Sequence, residues 1–243
     1  MPDSVPQQVQ QQVSEIWEAD LALQFMLLFL LVMVFGLLPL SGLEPIQGRG
    51  DQVAAAGFSL LGISGVFAVT RTRGARILGL VAMTAPIGLG WYNALAPRTT
   101  TALLRSTLVL VALLWMAFLT LRHVFRSGPI TRARLQGAIA VYLLLAIAFG
   151  EAYWIVLQLL PDAFRFPPDS AGAGKEKSSL IYFSMTTLTT LGYGDILPLR
   201  PVARSLATLE GLIGQLYPAV LIGRLVSLQS TTAQKVDRKA EHQ

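Results

Sequence analysis

Charge is what this chain has least of. Only 14% of its 243 residues are Asp, Glu, Lys or Arg, while 53% are hydrophobic and the mean hydropathy is +0.56. A soluble domain carries about a quarter of its residues as charges, so too few are present here to cover the surface of one or two soluble domains. Composition therefore points to a membrane. Cysteine is absent, which excludes a disulfide framework, a thiolate metal site and a cysteine nucleophile, and says nothing about redox compartment. Histidine is limited to His123 and His242, too few for a histidine-rich metal centre. The net charge of +5 and pI near 9.8 would suit nucleic acid only if the basic residues gathered on one soluble face. They lie instead in short loops between apolar runs, so no nucleic-acid partner is expected.

About 20 mostly apolar residues are needed to cross the hydrocarbon layer as a helix. Six such runs are present: Leu21 to Leu43, Val53 to about Thr70, Ile77 to about Leu95, Thr101 to Leu121, Leu135 to Leu160 and Val202 to Leu228. The first has no charged residue. The second is rich in small residues that let helices approach closely, and the third contains Pro86, Gly88 and Gly90, where a kink is expected. Pro201 is placed to open the last run as a first-turn proline. Ser178 to Thr190 is too short to cross and reads as a re-entrant helix with Ser178 as N-cap. Residues 1–20 lack the basic start and cleavage site of a signal peptide, so they are expected to be retained. Val9, Val13, Ile16 and Trp17 there have the spacing of a short interfacial helix, with a frayed tail as the alternative.

Lys and Arg in short loops resist translocation and set orientation. Arg71, Arg73 and Arg76 join runs two and three, and Arg122, Arg126, Arg132 and Arg134 join four and five. Arg224, Lys235, Arg238 and Lys239 close the chain. If every run crosses, all three groups share one side, the cytoplasm, with both termini there and the segment before the last run outside. The nearly neutral turns at Glu44, Arg49 and Asp51 and at Arg98 fit the external face.

The most informative stretch is Thr186-Thr187-Leu188-Thr189-Thr190-Leu191-Gly192-Tyr193-Gly194-Asp195, directly after the short helix. A pore that strips water from potassium must replace the hydration shell with oxygens, and backbone carbonyls can do this if they all point inward. Gly192 and Gly194 permit that backbone where a Cβ would resist it. Thr190 adds a hydroxyl at the inner end, while Leu191 and Tyr193 would point away into packing. Irregular backbone at membrane depth is tolerated only when buried in protein or lining a water-filled path. The C-terminal end of the short helix would aim partial negative charge at a cation.

On TTLGYGD at Thr189 to Asp195 the chain resembles the tetrameric potassium channel family in its six-span, one-pore-loop form, prokaryotic-looking and without a cytoplasmic regulatory domain. The resemblance implies an all-α membrane fold of six transmembrane helices plus a re-entrant pore helix and filter loop. It covers about Leu135 to Leu228, and the first four spans match in number and topology only. It implies K+ at Thr190, Leu191, Gly192 and Tyr193, with Gly194 completing the filter and Asp195 at the outer mouth. Tyr182 and Phe183 fall where relatives place an aromatic cuff, and Thr186, beside Thr187 in the pore helix, stands where some relatives carry a glutamate. Gly214 falls at an inner-helix hinge. One pore segment cannot enclose an axis, so a homotetramer in contact with membrane lipids is expected, in a plasma membrane and, from the resemblance, a bacterial inner membrane. K+ is the permeant ion and no organic cofactor is expected.

The expected organisation is a cytoplasmic segment 1–20, a peripheral four-helix domain 21–121 resembling a degenerate voltage sensor, a linker 122–134, a pore domain 135–228 and a cytoplasmic tail 229–243. Within the pore domain fall an outer helix 135–160, turret 161–177, pore helix 178–189, filter 190–195 and inner helix 201–228. Gly211, Gly214 and Pro218 are candidates for an inner-helix gate, with close packing of the glycines as the alternative. Glu151 and Glu210 are acidic residues well inside spans, a functional signal by default. They could meet behind the filter, one protonated and bonded to the other or to pore-helix hydroxyls, either as a structural brace or as a proton sensor. Run four offers Arg98 and Arg105, too few for voltage sensing, which needs several charges crossing the field. Gly128 and Pro129 break the linker, which suits a peripheral bundle beside its own pore segment.

The leading expectation is passive, potassium-selective conduction with weak or no voltage dependence and no enzymatic activity. A transporter coupling potassium to protons through Glu151 and Glu210 is the alternative, although the repeated halves typical of transporters are not visible. No nucleotide- or calcium-binding domain is expected in the short tail after Leu228, so ligand gating would need a partner protein, a lipid or a site among the first four spans; the basic loops could meet anionic headgroups.

Overall fold

A computed structural model describes residues 24, 26–37, 88–89, 99–125, 131–168 and 175–241. The expected interfacial helix, the second run, the third run apart from residues 88–89, the linker's Gly128 and Pro129 and His242 lie outside the described residues. Those described form four long or medium helices: α1 (Thr99–Val124), α2 (Arg132–Leu159), α3 (Lys175–Leu188) and α4 (Pro201–Glu241). Three of them, Thr99–Val124, Arg132–Leu159 and Pro201–Arg224, are long and apolar enough to cross a membrane. Within the first apolar run, residues 26–31 are helical and continue into a π-helical turn at Val32–Leu37.

α2 is the central pillar. Thr131 caps it from an extended backbone, its hydroxyl accepting from the Arg134 N–H at 3.4 Å, which satisfies one of the orphan donors of a helix start. Small residues along α2 (Ala138, Ala140, Ala146, Ala148) are buried, and this lets neighbouring helices close in from two sides. On one side Val109, Leu113, Met116 and Ala117 of α1 pack against Ala140, Leu143, Leu144 and Ile147, joined by Met26, Leu30 and Val34. Gln158 of α2 donates to Ser106 of α1 at 3.3 Å. Run four therefore lies directly on α2 of its own chain. On the other side, Tyr153, Leu157, Phe164, Leu180, Phe183 and Ile196 form a second core under α3, with Tyr153, Phe164 and Phe183 meeting edge to face at 5.1–5.8 Å. Such geometry aligns positive ring edges with negative faces.

Three differences from the expected organisation have physical causes. The pore helix begins at Lys175 and not at Ser178, which sits inside the helix; Lys175, Glu176 and Lys177 are good helix formers, and Lys177 is held by an ion pair described below. α4, expected to end at Leu228 as an inner helix, continues to Glu241, through a polar stretch that lacks the apolar character of a span. The turret is not all loop: β1 (Phe164–Arg165) pairs antiparallel with β2 (Leu197–Pro198), Phe164 opposite Pro198 and Arg165 opposite Leu197. This two-stranded piece is a small exception to an all-α architecture. It ties the segment after α2 to the segment after the filter, helped by the Leu199 N–H donating to the Ala163 carbonyl at 2.8 Å and by an exposed Arg200–Asp162 ion pair.

Candidate functional site

α3 ends at Leu188, and the chain passes straight into the TTLGYGD stretch. Its last turns are rich in threonine, and each hydroxyl folds back on its own helix. Thr186 and Thr187 donate to the Phe183 carbonyl at 2.9 and 2.8 Å, and Thr189 to that of Met185 at 2.7 Å. The Gly192 N–H then returns to the Thr186 carbonyl at 3.1 Å, folding the strand back along the helix that precedes it.

In that strand Thr190, Gly192 and Gly194 have φ of 60°, 53° and 78°. Every second residue is thus left-handed while Leu191 and Tyr193 are not. Reversing the sense of alternate residues can turn successive peptide units to the same side, where an ordinary strand alternates its carbonyls. Glycine adopts this conformation freely. Thr190 does so at a cost of roughly 1–2 kcal/mol, the kind of local strain that clusters at functional positions. Residues 189–195 are exposed on the single chain.

Tyr182 stacks on Tyr193 with centroids 6.5 Å apart and planes 5° from parallel, and its hydroxyl faces the Asp195 carboxylate. Phe183, predicted beside it in an aromatic cuff, turns the other way into the core with Tyr153 and Phe164. Adjacent helical positions lie on different faces, so one of the pair supports the strand and the other anchors α3 to α2.

α4 sits against the end of α3 through its glycines. A Cβ on Gly214 would lie 1.9 Å from the Leu188 carbonyl oxygen, whereas one on Gly211 would make ordinary contact with the Thr187 oxygen at 3.9 Å. Close packing therefore accounts for Gly214. The helix runs unbroken through Pro218. Two tyrosines brace the same level: Tyr142 donates to the Leu188 carbonyl at 2.9 Å and Tyr217 to the Ala138 carbonyl at 2.8 Å.

Glu151 and Glu210 are both buried, but they do not bond each other. Lys177 lies 3.0 and 2.8 Å from the two oxygens of Glu151. Glu210 is bound instead by Tyr153 and Ser184. A hydroxyl of α3 was expected as a carboxyl partner and Ser184 supplies one, though sequence reasoning did not name it; Lys177, Tyr153 and Gly150 were missed, and a Cβ on Gly150 would come within 3.0 Å of the Ile181 backbone. The available signal was the glycine itself, in a span where small residues mark close helix contacts. Among the described residues no group of His, Cys, Asp and Glu could hold a metal ion.

Residues 141–230 match a family model described as an ion channel, so this region carries an ion channel domain and belongs to no enzyme class. The chain is 37% identical over 89 residues to Protein LctB of Bacillus caldotenax, covering 35% of this chain and 64% of that one. It is 33% identical over 87 residues to two pore potassium channel c of Oryza sativa subsp. japonica (36% and 18% covered). Over 39 residues it is 49% identical to the inward rectifier potassium channel Kirbac3.1 of Paramagnetospirillum magnetotacticum (16% and 13% covered). The chain thus spans less than two thirds of the length of these relatives.

Proposed function

We propose that this protein is a potassium-selective channel that conducts K+ passively through the carbonyls and threonine hydroxyl of Thr190, Leu191, Gly192, Tyr193 and Gly194. The observation that carries the reading is the alternating left-handed backbone at Thr190, Gly192 and Gly194, directly after a short helix inside the ion channel domain. That backbone gives one face of oxygens, and such a face can replace the water of a potassium ion. Potassium is also the ion named in two of the relatives.

A single chain supplies one wall, so the working unit is a homotetramer around a four-fold axis. Supporting this, the strand is exposed on the single chain, and α4 leaves Val202, Leu209, Leu212, Leu216, Val220 and Ile222 uncovered. The chain is read as six spans with cytoplasmic termini in the plasma membrane, and each peripheral bundle sits beside its own pore segment, as the α1 to α2 packing supports. Conduction is weakly voltage dependent, because α1 carries Arg105 and Arg122 as its arginines and Arg122 stands at its end over the Phe118 ring at 5.8 Å. Pro218 is the proposed point of bending at the inner aperture.

The proton-coupled alternative needs Glu151 and Glu210 on one path, and their separate partners give it no support. The reading is tested by flux from K+-loaded proteoliposomes into Na+ medium. Wild-type protein releases K+ when a protonophore balances the charge and releases far less from liposomes loaded with Na+, a difference that Gly192→Ala should lose; equal release of the two ions by wild type would contradict potassium selectivity.

A further inference from the structure

Behind the filter helix, α2, α3 and α4 meet at one carboxyl group. Glu210 of α4 is wholly buried, and so are Tyr153 of α2 and Ser184 of α3. Three oxygen contacts run in series through them. The Tyr153 hydroxyl lies 2.5 Å from Glu210 Oε2, Glu210 Oε1 lies 2.5 Å from Ser184 Oγ, and Ser184 Oγ lies 2.6 Å from the Ala146 carbonyl oxygen.

Two oxygens at such distances attract only with a proton between them. One hydroxyl hydrogen shared between two acceptors would give longer contacts than an ordinary O–H···O bond, and both contacts of Ser184 Oγ are shorter, so the three contacts need three protons. The Ala146 carbonyl can only accept, the Tyr153 hydroxyl supplies one proton, and the Ser184 hydroxyl supplies one. If Ser184 gave its proton to Glu210, its contact with Ala146 would set two unprotonated oxygens against each other. The missing proton has one remaining source, which is Glu210 itself.

We infer that Glu210 is a neutral carboxylic acid in the folded protein, donating from Oε1 to Ser184 and accepting from Tyr153 on Oε2. One donor chain then runs Tyr153 to Glu210 to Ser184 to the Ala146 carbonyl, starting and ending on α2 and passing through both other helices. Burying a carboxyl is costly when it is charged and far less so when it is neutral and bonded on both oxygens. Glu151 is held differently, with the Lys177 ammonium within 3.0 Å of both its oxygens. Glu210 is a positioning residue that fixes α4 to α3 one residue before Gly211, where α4 begins to pass the end of α3.

Infrared spectroscopy of the purified protein at neutral pH tests this without reference to conduction, so its failure and that of the channel reading are separable. A carboxylic-acid C=O stretch that shifts in D2O is expected in wild type and in Glu151→Gln, and is lost in Glu210→Gln. Loss of carboxylate intensity in Glu210→Gln, with the acid band unchanged, would overturn the assignment. Ser184→Ala gives a second test should the Gln variant not fold: it removes the acceptor of the Glu210 proton, so the acid band moves to higher frequency, and an unmoved band would overturn the assignment. Glutamine can also donate to Ser184 while accepting from Tyr153. Glu210→Gln should therefore melt close to wild type and well above Glu210→Ala, and a Gln variant no more stable than Ala would contradict the donor chain.

Discussion

The Leu188 carbonyl oxygen occupies the space that a side chain on Gly214 would need, with only 1.9 Å between that oxygen and the position of a Cβ. The backbone of α4 is thus seated on the last residue of α3, and Tyr142 donates to the same oxygen from α2. The Gly214 contact is backbone against backbone, so it cannot relax by a rotamer change. Gly214→Ala should lower stability by about 3 kcal/mol, the upper end of ordinary overpacking. Gly211→Ala, whose Cβ meets an oxygen at 3.9 Å, should cost under about 1 kcal/mol. Thermal midpoints of the two variants in one detergent check the contrast, and equal midpoints would refute it.

The buried ion pair between Lys177 and Glu151 makes an asymmetric prediction. Removing Lys177 alone leaves a carboxylate that is 1% exposed without its counter-charge. Lys177→Met should therefore cost about 3 kcal/mol, and Lys177→Met with Glu151→Leu should recover much of it. A double-mutant cycle measures the coupling, and additive effects would mean that the pair contributes nothing.

Gly192 and Gly194 have room for a Cβ but the wrong backbone for one, since nothing lies within 4 Å of either position on the single chain while φ is +53° and +78°. Alanine at either site should cost roughly 1 kcal/mol locally and leave the helices folded. The predicted loss is in ion discrimination, read as a fall in K+ over Na+ permeability with unchanged helical content.

At the outer surface, the Arg200 guanidinium beside Asp162 holds the Asp162 carboxyl below its ordinary value. A lowered folded-state value means that the pair stabilises the fold above the unfolded carboxyl's titration range. That contribution is lost as pH falls through the lowered folded value. Both groups are solvent-exposed, so the effect is small and screened by salt. Arg200→Ala should return the Asp162 titration to the usual carboxylate range, measurable by NMR at low salt.

Voltage dependence should be weak. Moving one charge through the membrane field yields about 2.3 kcal/mol per 100 mV, and α1 offers Arg105 near one end and Arg122 at the other. A fit of conductance against voltage should return a gating charge under about two per subunit.

The strand at Thr190 to Gly194 was legible because its chemistry is local: glycine at alternate positions is a backbone requirement that survives in one dimension. Pro201 at the start of α4 was legible for the same reason. The partners of the buried carboxyls were not. Lys177 falls in a stretch that reads as turret, and its ion pair with Glu151 depends on where α3 begins. Ser184 and Tyr153 reach Glu210 through the relative rotation of three helices, which periodicity does not specify when every face is apolar. Tyr182 and Phe183 looked alike as neighbours, and only the docking of α3 separates the one that stacks on Tyr193 from the one that enters the core. The β1 and β2 pairing spans the TTLGYGD stretch in sequence, and its two-residue strands are too short to leave an alternating pattern.

The central claim is selective passage of potassium through the strand at Thr190 to Gly194, and the most direct measurement is the reversal potential of the purified protein in a planar bilayer with potassium on one side and sodium on the other. The account predicts current that reverses close to the potassium equilibrium potential. Reversal near zero, with sodium and potassium carrying current equally, would contradict it.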